Sequence, residues 1–249
     1  MKARGPILFA LTLLATPAAA QVAGKFPPDS LVNVRVIPRN TPVIQVVGQM
    51  RNITGALGVR CPYCHVGQEG QDLSTFDFPS DDKRPKLVAR QMLAMVQEIN
   101  RRLDTIPSRP TPSVEVTCNT CHRGVARPMP LSALLADVAT TAGADSALRA
   151  YRALRERYYG RSAYDFGPGS LNTAAFQLGR AGKFDEAIAL FALNDEQFPT
   201  EPQTAILRGN VLLMRQDTTG AAASFREALR RNPGNGEALG RLRTIGRQP

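Results

Sequence analysis

The sequence predicts a mainly α-helical protein in two parts, a loop-rich body followed by an array of helix pairs. Three observations predict it. Apolar residues recur every three or four positions in several stretches, which is the spacing of one helix face. Past about residue 131 the composition changes to many alanines with no Cys or His. Within that remainder a set of residues returns 34 positions later. A chain of 249 residues has room for one large domain or two smaller ones, each with its own core.

In order along the chain, residues 1–20 read as a cleaved export signal. Lys2 and Arg4 precede an apolar run over 7–15, and Ala18-Ala19-Ala20 stands before Gln21. The run is too short to span a bilayer, and no later stretch is long and apolar enough to do so. The expected mature protein is therefore periplasmic or secreted, with no membrane span. No Cys follows the cleavage point to carry a lipid. Of the 31 Lys and Arg, the signal removes Lys2 and Arg4, leaving 29 against 21 Asp and Glu, or +8. Such a balance suits steering toward an acidic partner. No basic stretch interleaved with aromatics suggests nucleic acid.

Pro27, Pro28, Pro38 and Pro42 make residues 21–42 an extended lead-in. A helix is predicted over 43–57, where Val43, Val46, Met50, Ile53 and Leu57 share a face, and Gly58 stops it. Residues 67–85 read as loop. A second helix is predicted over 86–103 on Val88, Met92, Met95, Ile99 and Leu103, with Pro85 near its first turn. A proline-rich link over 106–112 leads to Val114-Glu115-Val116, and Pro128 and Pro130 close the first part near residue 131. The domain division is thus 21–131 and 132–249. In the second part Ala187 and Ala221, Phe191 and Phe225, and Pro199 and Pro233 are each 34 apart. That is the tetratricopeptide period. Small residues let two helices approach closely, and Phe191 and Phe225 fill the layer between. A degenerate helix over 148–158 and a capping one over 237–245 would cover the ends of so short an array.

The chemistry sits in Cys61-Pro62-Tyr63-Cys64-His65 and Cys118-Asn119-Thr120-Cys121-His122. Each is a Cys-x-x-Cys-His run, the attachment signature of c-type haem. Two residues between the cysteines let both sulfurs meet one porphyrin edge, and the next imidazole points at the iron. The two copies use all four Cys and both His of the chain. Two disulfides or a four-sulfur zinc site are the alternatives, and both leave the histidines idle. Two covalently bound haem c groups are therefore expected.

With no third His, the ligand opposite each imidazole is a methionine, a lysine or an open position. The mature methionines are Met50, Met92, Met95, Met129 and Met214. Met50 lies on the helix ahead of the first motif. Met92 and Met95 lie on neighbouring sides of the second helix. Core packing is the plainer role for each. Two irons in need of ligands favour Met50 and one of Met92 and Met95. Methionine–histidine ligation raises the reduction potential and closes the iron to substrate.

Residues 36–130 resemble the cytochrome c subunit of photosynthetic reaction centres, a tetrahaem protein with relatives outside photosynthesis. The resemblance rests on Leu57-Gly58-Val59-Arg60 with the first motif, Val88-Ala89-Arg90-Gln91-Met92-Leu93-Ala94-Met95, Ile99-Asn100, and Val116-Thr117 with the second motif and Arg123-Gly124. It implies Met50 opposite His65 and Met92 opposite His122, with Met95 as the alternative to Met92. This chain departs in having two motifs rather than four and no His in 101–117. It looks like one haem pair of that fold, joined to repeats the family does not explain.

The function expected is a dihaem electron carrier between redox proteins, not an enzyme. Its donor and acceptor would be redox proteins, acidic or membrane-bound. Two other readings stand beside it. One is a haem enzyme that reduces peroxide or binds a gas at an iron lacking its methionine. The other is a repeat-based interaction protein with an accessory haem domain.

Overall fold

A computed structural model describes residues 24–248, so the export signal expected at 1–20 lies outside the described residues. Among those described there are ten α-helices and no strand, only an isolated antiparallel bridge between Val66 and Asp77. The mainly α expectation holds. Among the described residues no helix is long and apolar enough to cross a membrane. Contacts divide the chain into two compact units, one of residues 24–51 with 60–103, the other of 52–59 with 104–248.

The first unit holds the lead-in, most of α1 (Val43–Leu57), a 3-10 turn at Cys61–Tyr63, the loop after it and α2 (Arg84–Leu103). Helix α1 has the bounds its periodicity predicts. Helix α2 begins two residues early, taking in Pro85 in its first turn, where a missing N–H leaves nothing unpaired. The lead-in is strapped across this helix by polar bonds. Arg90 Nη2 donates to the Asn33 carbonyl (2.9 Å), and Asn33 Nδ2 donates to the Pro79 carbonyl (2.7 Å).

Apolar burial here is sparse. Val46 and Phe76 are the described hydrophobic side chains of this unit that are buried, and no residue of the twenty in α2 is. Val88, Met92 and Met95, which share one stripe of α2, are 46 %, 38 % and 46 % exposed. A body that buries so little does not hold itself together by the hydrophobic effect alone.

The second unit is built the opposite way. It contains α3 (Cys118–His122), α4 (Leu131–Ala142), α5 (Ala144–Tyr158), α6 (Pro168–Arg180), α7 (Phe184–Gln197), α8 (Pro202–Met214), α9 (Thr218–Arg231) and α10 (Gly236–Thr244). The bounds of α6 and α7 recur in α8 and α9 with an offset of 34 at each end, so the sequence period is a structural one. Helices pack within pairs, α6 also lies on α8, and α10 covers α9. Phe191 and Phe225 are fully buried between the layers. Gly209 is required by its neighbour, since a Cβ there would sit 2.5 Å from the Phe225 ring.

Helix α4 is absent from the sequence reading. It pairs with α5 and also packs on α6, burying Leu131, Leu135 and Ala139. The degenerate helix expected over 148–158 is thus α5, longer at its start and half of a third pair. The capping helix expected over 237–245 is α10, with Ala238 and Leu242 buried.

Polar contacts lock the array across pairs. Asn194, fully buried, donates from Nδ2 toward Asn172 Oδ1 (2.8 Å) and Thr204 Oγ1 (2.9 Å). Asp195 of α7 pairs with Arg208 of α8 and with Arg231 of α9 (2.7 Å), and Arg231 also meets Glu227 (3.0 Å). These side chains are mostly out of water, so each charge needs its partners.

Candidate haem-attachment sites

At the end of α1 the chain turns through Gly58, at φ +67°, and enters the first motif extended at Arg60. The motif then closes on itself. The backbone N–H groups of Cys64 (3.2 Å) and His65 (3.0 Å) both donate to the Cys61 carbonyl. Two thiols and one imidazole therefore issue from a single turn. Pro62, second in the motif, suits the start of that turn because its φ is preset.

His65 lies edge-on to Phe78, with ring centroids 4.9 Å apart, and Phe78 packs on Phe76 and Phe26. Its Nδ1 is buried without a hydrogen-bond partner. Burial lowers the pKa of this imidazole and Lys86 adds to the effect. The Phe78 backbone opposes them without reaching hydrogen-bond geometry, while Arg90 and Lys83 push it further down. The neutral ring that results is the form that binds a metal. Burial pushes the Cys64 thiol up, Lys83 draws it down, and Cys61 raises it again. Lys83 also donates to the Pro62 carbonyl inside the motif.

A cationic clamp holds the loop that presents Phe78. Lys86 Nζ donates to the carbonyls of Phe78 (2.8 Å), Pro79 (3.0 Å) and Ser80 (2.6 Å). Asp81 receives both Lys86 (3.1 Å) and Arg90 (2.9 Å). Hydrogen bonds from Arg90, and then Asn33 and Lys86, hold its carboxyl far below the usual carboxylate range. A depressed folded pKa gives stability that is complete above the unfolded value, about 3.9, and lost as pH falls toward the folded one. Asp81→Asn is therefore expected to lower the denaturant midpoint at neutral pH. The difference from the parent protein should shrink steadily below about pH 3.9, as read by urea titration at stepped pH.

The second motif occupies α3. Thr117 caps it in a reciprocal box with Thr120, whose Oγ1 accepts from the Thr117 N–H (3.0 Å). Cys118, Cys121 and His122 stand at i, i+3 and i+4 and so share one face. His122 Nδ1 bonds the Val125 carbonyl at 2.9 Å. That contact places the proton on Nδ1 and leaves Nε2 for a metal, the usual support of a ligating histidine. Arg123 and Gly124 then reverse the chain with φ of 49° and 89°. The Gly124 N–H donates to the Ala56 carbonyl of α1 (2.7 Å).

This docking explains Gly58. A Cβ there would stand 2.1 Å from the Gly124 carbonyl oxygen, and its positive φ is one that side-chain-bearing residues avoid. Gly58→Ala is expected to cost roughly 1–3 kcal/mol of unfolding free energy, measured by denaturant titration. A cost below about 0.5 kcal/mol would show that the turn relaxes freely.

The residues present fit a covalently held haem. All four cysteines are free. Among the described residues no three His, Cys, Asp or Glu gather where they could hold a metal ion. Each motif presents two thiols beside one imidazole, and α2 bears an apolar stripe, Val88, Met92 and Met95, that its own unit leaves exposed. Met50 lies half-buried on α1, in the unit that holds the first motif. Met92 and Met95 lie exposed on α2 in that same unit, whereas His122 belongs to the other. The clamp residues Asp81, Lys86 and Arg90 escaped the sequence reading, since charges scattered over a loop and a helix carry no spacing signature.

Comparison with known families adds an independent finding. Residues 61–153 match the model of the photosynthetic reaction centre cytochrome C subunit. The match contains both motifs, and the family is one of covalently bound haem c and electron transfer. It starts and ends later than the resemblance drawn over 36–130, leaving Met50 outside and taking in α4. Among solved structures, the first TPR of Spaghetti (RPAP3) bound to the HSP90 peptide SRMEEVD is similar at 21% identity. That likeness covers 47% of this chain and 87% of that one, with a TM-score of 0.32.

Proposed function

Starting from the reaction-centre cytochrome match over 61–153, we propose that the chain is an exported dihaem c-type cytochrome. It carries single electrons between two redox proteins, and its repeats dock a protein partner. The haem-binding part is taken as 21–131 and the repeats as 132–249, after removal of residues 1–20 in export to the periplasm. The observation that carries the reading is the exposed stripe of α2 in a unit with almost no core of its own. An apolar porphyrin face is what such a stripe can pack against.

Cys61 and Cys64 would tether one haem and His65 hold its iron, while Cys118, Cys121 and His122 would serve the second. When bound, each group supplies a reversible one-electron couple. Met50 is proposed opposite His65, and Met92, or Met95 in its place, opposite His122. With a thioether held at each iron no position would be left for substrate, and the function would be carriage rather than catalysis. His122 is oriented for its task by the Val125 carbonyl, and the neutrality of His65 is favoured by its burial and by Lys86.

The test is to express the protein with a cytochrome c maturation system, count covalent haem by intact mass, and titrate its reduction. Two haems per chain and a sulfur-to-iron absorption band accounting for both irons are expected. A colourless product would overturn the reading. A band accounting for one iron would move the function toward peroxide or gas chemistry at the other.

A further inference from the structure

The two motifs stand in different electrostatic settings. Around the first, several charges are settled internally, while Lys83 donates to the Pro62 carbonyl. Arg60 pairs with Glu69 (3.2 Å), and Asp81 takes up Lys86 and Arg90. Around the second they are not. Residues 116–136 contain Arg123 and Arg127 but no carboxylate, and residues 157–164 contain Arg157 and Arg161 but none either. Those two segments meet: Arg123 Nη1 reaches the Ser162 carbonyl (3.3 Å), and an open polar cleft is lined by Asn119, Thr120, Arg123 and Ser162.

Asn119 and Thr120 are the two residues between the cysteines of the second motif, so the cleft opens beside the thioether edge. All four arginines are exposed, and among the described residues none is paired with a carboxylate. Arg157 lies over the Tyr158 ring at 5.1 Å. The flanking carboxylates are Glu115, Asp137, Glu156 and Asp165, and Asp165 already accepts from the Gly167 N–H (2.8 Å). The other arginine-rich place, α9 with α10, is partly self-satisfied. There Arg230 meets Glu227, Arg231 meets Glu227 and Asp195, and Arg226 donates to the Gln248 carbonyl.

We propose that the open cleft lined by Arg123 beside the second motif is the docking port for an acidic redox protein, one that rings its own centre with carboxylates. The proposal rests on the dihaem reading and adds which end of the chain meets the partner. Unpaired guanidinium groups beside a solvent-facing attachment edge give the field that captures an anionic surface and speeds its approach. Arg123 is central, because it alone reaches both walls of the cleft.

Two readouts test it on the haem-loaded chain. The first is binding. Poly-glutamate is titrated at low salt while backbone amide resonances are followed. Shifts should centre on Asn119, Thr120, Arg123 and Ser162, vanish in the double variant Arg127→Glu/Arg161→Glu, and persist in Arg243→Glu on α10. Shifts centred on α9 and α10, or spread over every helix, would overturn the proposal. The second is kinetic. In the reaction with ferricyanide one electron leaves the ferrous protein, giving ferric protein and ferrocyanide. The double variant should slow this at least about tenfold at low ionic strength and should speed oxidation by the cation tris(phenanthroline)cobalt(III). Rates that respond equally to Arg243→Glu would reduce the effect to net charge and overturn the port. Capture of the parent chain, but not the double variant, by phosphatidylglycerol vesicles would assign the cleft to a membrane surface instead. Haem content is measured on every variant, so a protein without haem counts against the dihaem reading and not against the port.

Discussion

Replacing Cys61 and Cys64 together by serine is expected to halve the covalent haem per chain, and replacing Cys118 and Cys121 as well is expected to unfold α2. The first effect follows from the motif, whose sulfurs issue from one hydrogen-bonded turn. The second follows from the packing. Helix α2 buries none of its residues, and its unit buries little beyond Val46 and Phe76. Its stripe of Val88, Met92 and Met95 needs an apolar partner that its own unit does not provide, and an isolated helix is marginal without tertiary packing. Amide hydrogen exchange over 84–103 should rise to near the unfolded rate. The matching change at Cys118 and Cys121 should also halve the haem yet leave the melting of the repeats unchanged. The core of the array, with Leu135, Leu171 and Phe191 fully buried, stands without a porphyrin. Protected α2 amides in the variant without either pair of cysteines would show that the stripe is covered by something other than haem.

Phe225→Ala is expected to destabilise the repeat unit by about 3–5 kcal/mol. The ring is fully buried, and Gly209 is shaped to receive it. Truncation leaves a void between α8 and α9 that neighbouring backbone fills poorly. In an array where each pair leans only on its neighbours, the loss falls on the last pair and on α10, so the C-terminal helices should melt first. Urea unfolding followed by circular dichroism measures the total, and hydrogen exchange locates it. Phe225→Leu should restore more than half of the loss. A cost below about 1 kcal/mol would mean that the layer repacks.

What could be read in advance was local. The bounds of α1 follow from a run of apolar residues on one face ended by Gly58. The motifs follow from six residues at fixed spacing. The repeat follows from Phe191 and Phe225 returning after 34 positions. Helix α4 was missed because it begins against the proline-rich close of the first part, at the point near residue 131 where composition changes and the boundary was placed. The clamp of Asp81, Lys86 and Arg90 and the pairing of Asp195 with Arg231 join residues whose separation follows no period.

The order of the amino acids alone determined the helical class, the two attachment motifs and the length of the repeat, because each is written in spacings of a few residues or one fixed period. Tertiary structure decided what those spacings cannot express. It set which carbonyl orients His122, how burial and Lys86 leave His65 neutral, and that Arg123 stands beside Asn119 and Thr120 across from Ser162. Those properties depend on burial and on distances between segments far apart in the chain, and both exist only once the chain has folded.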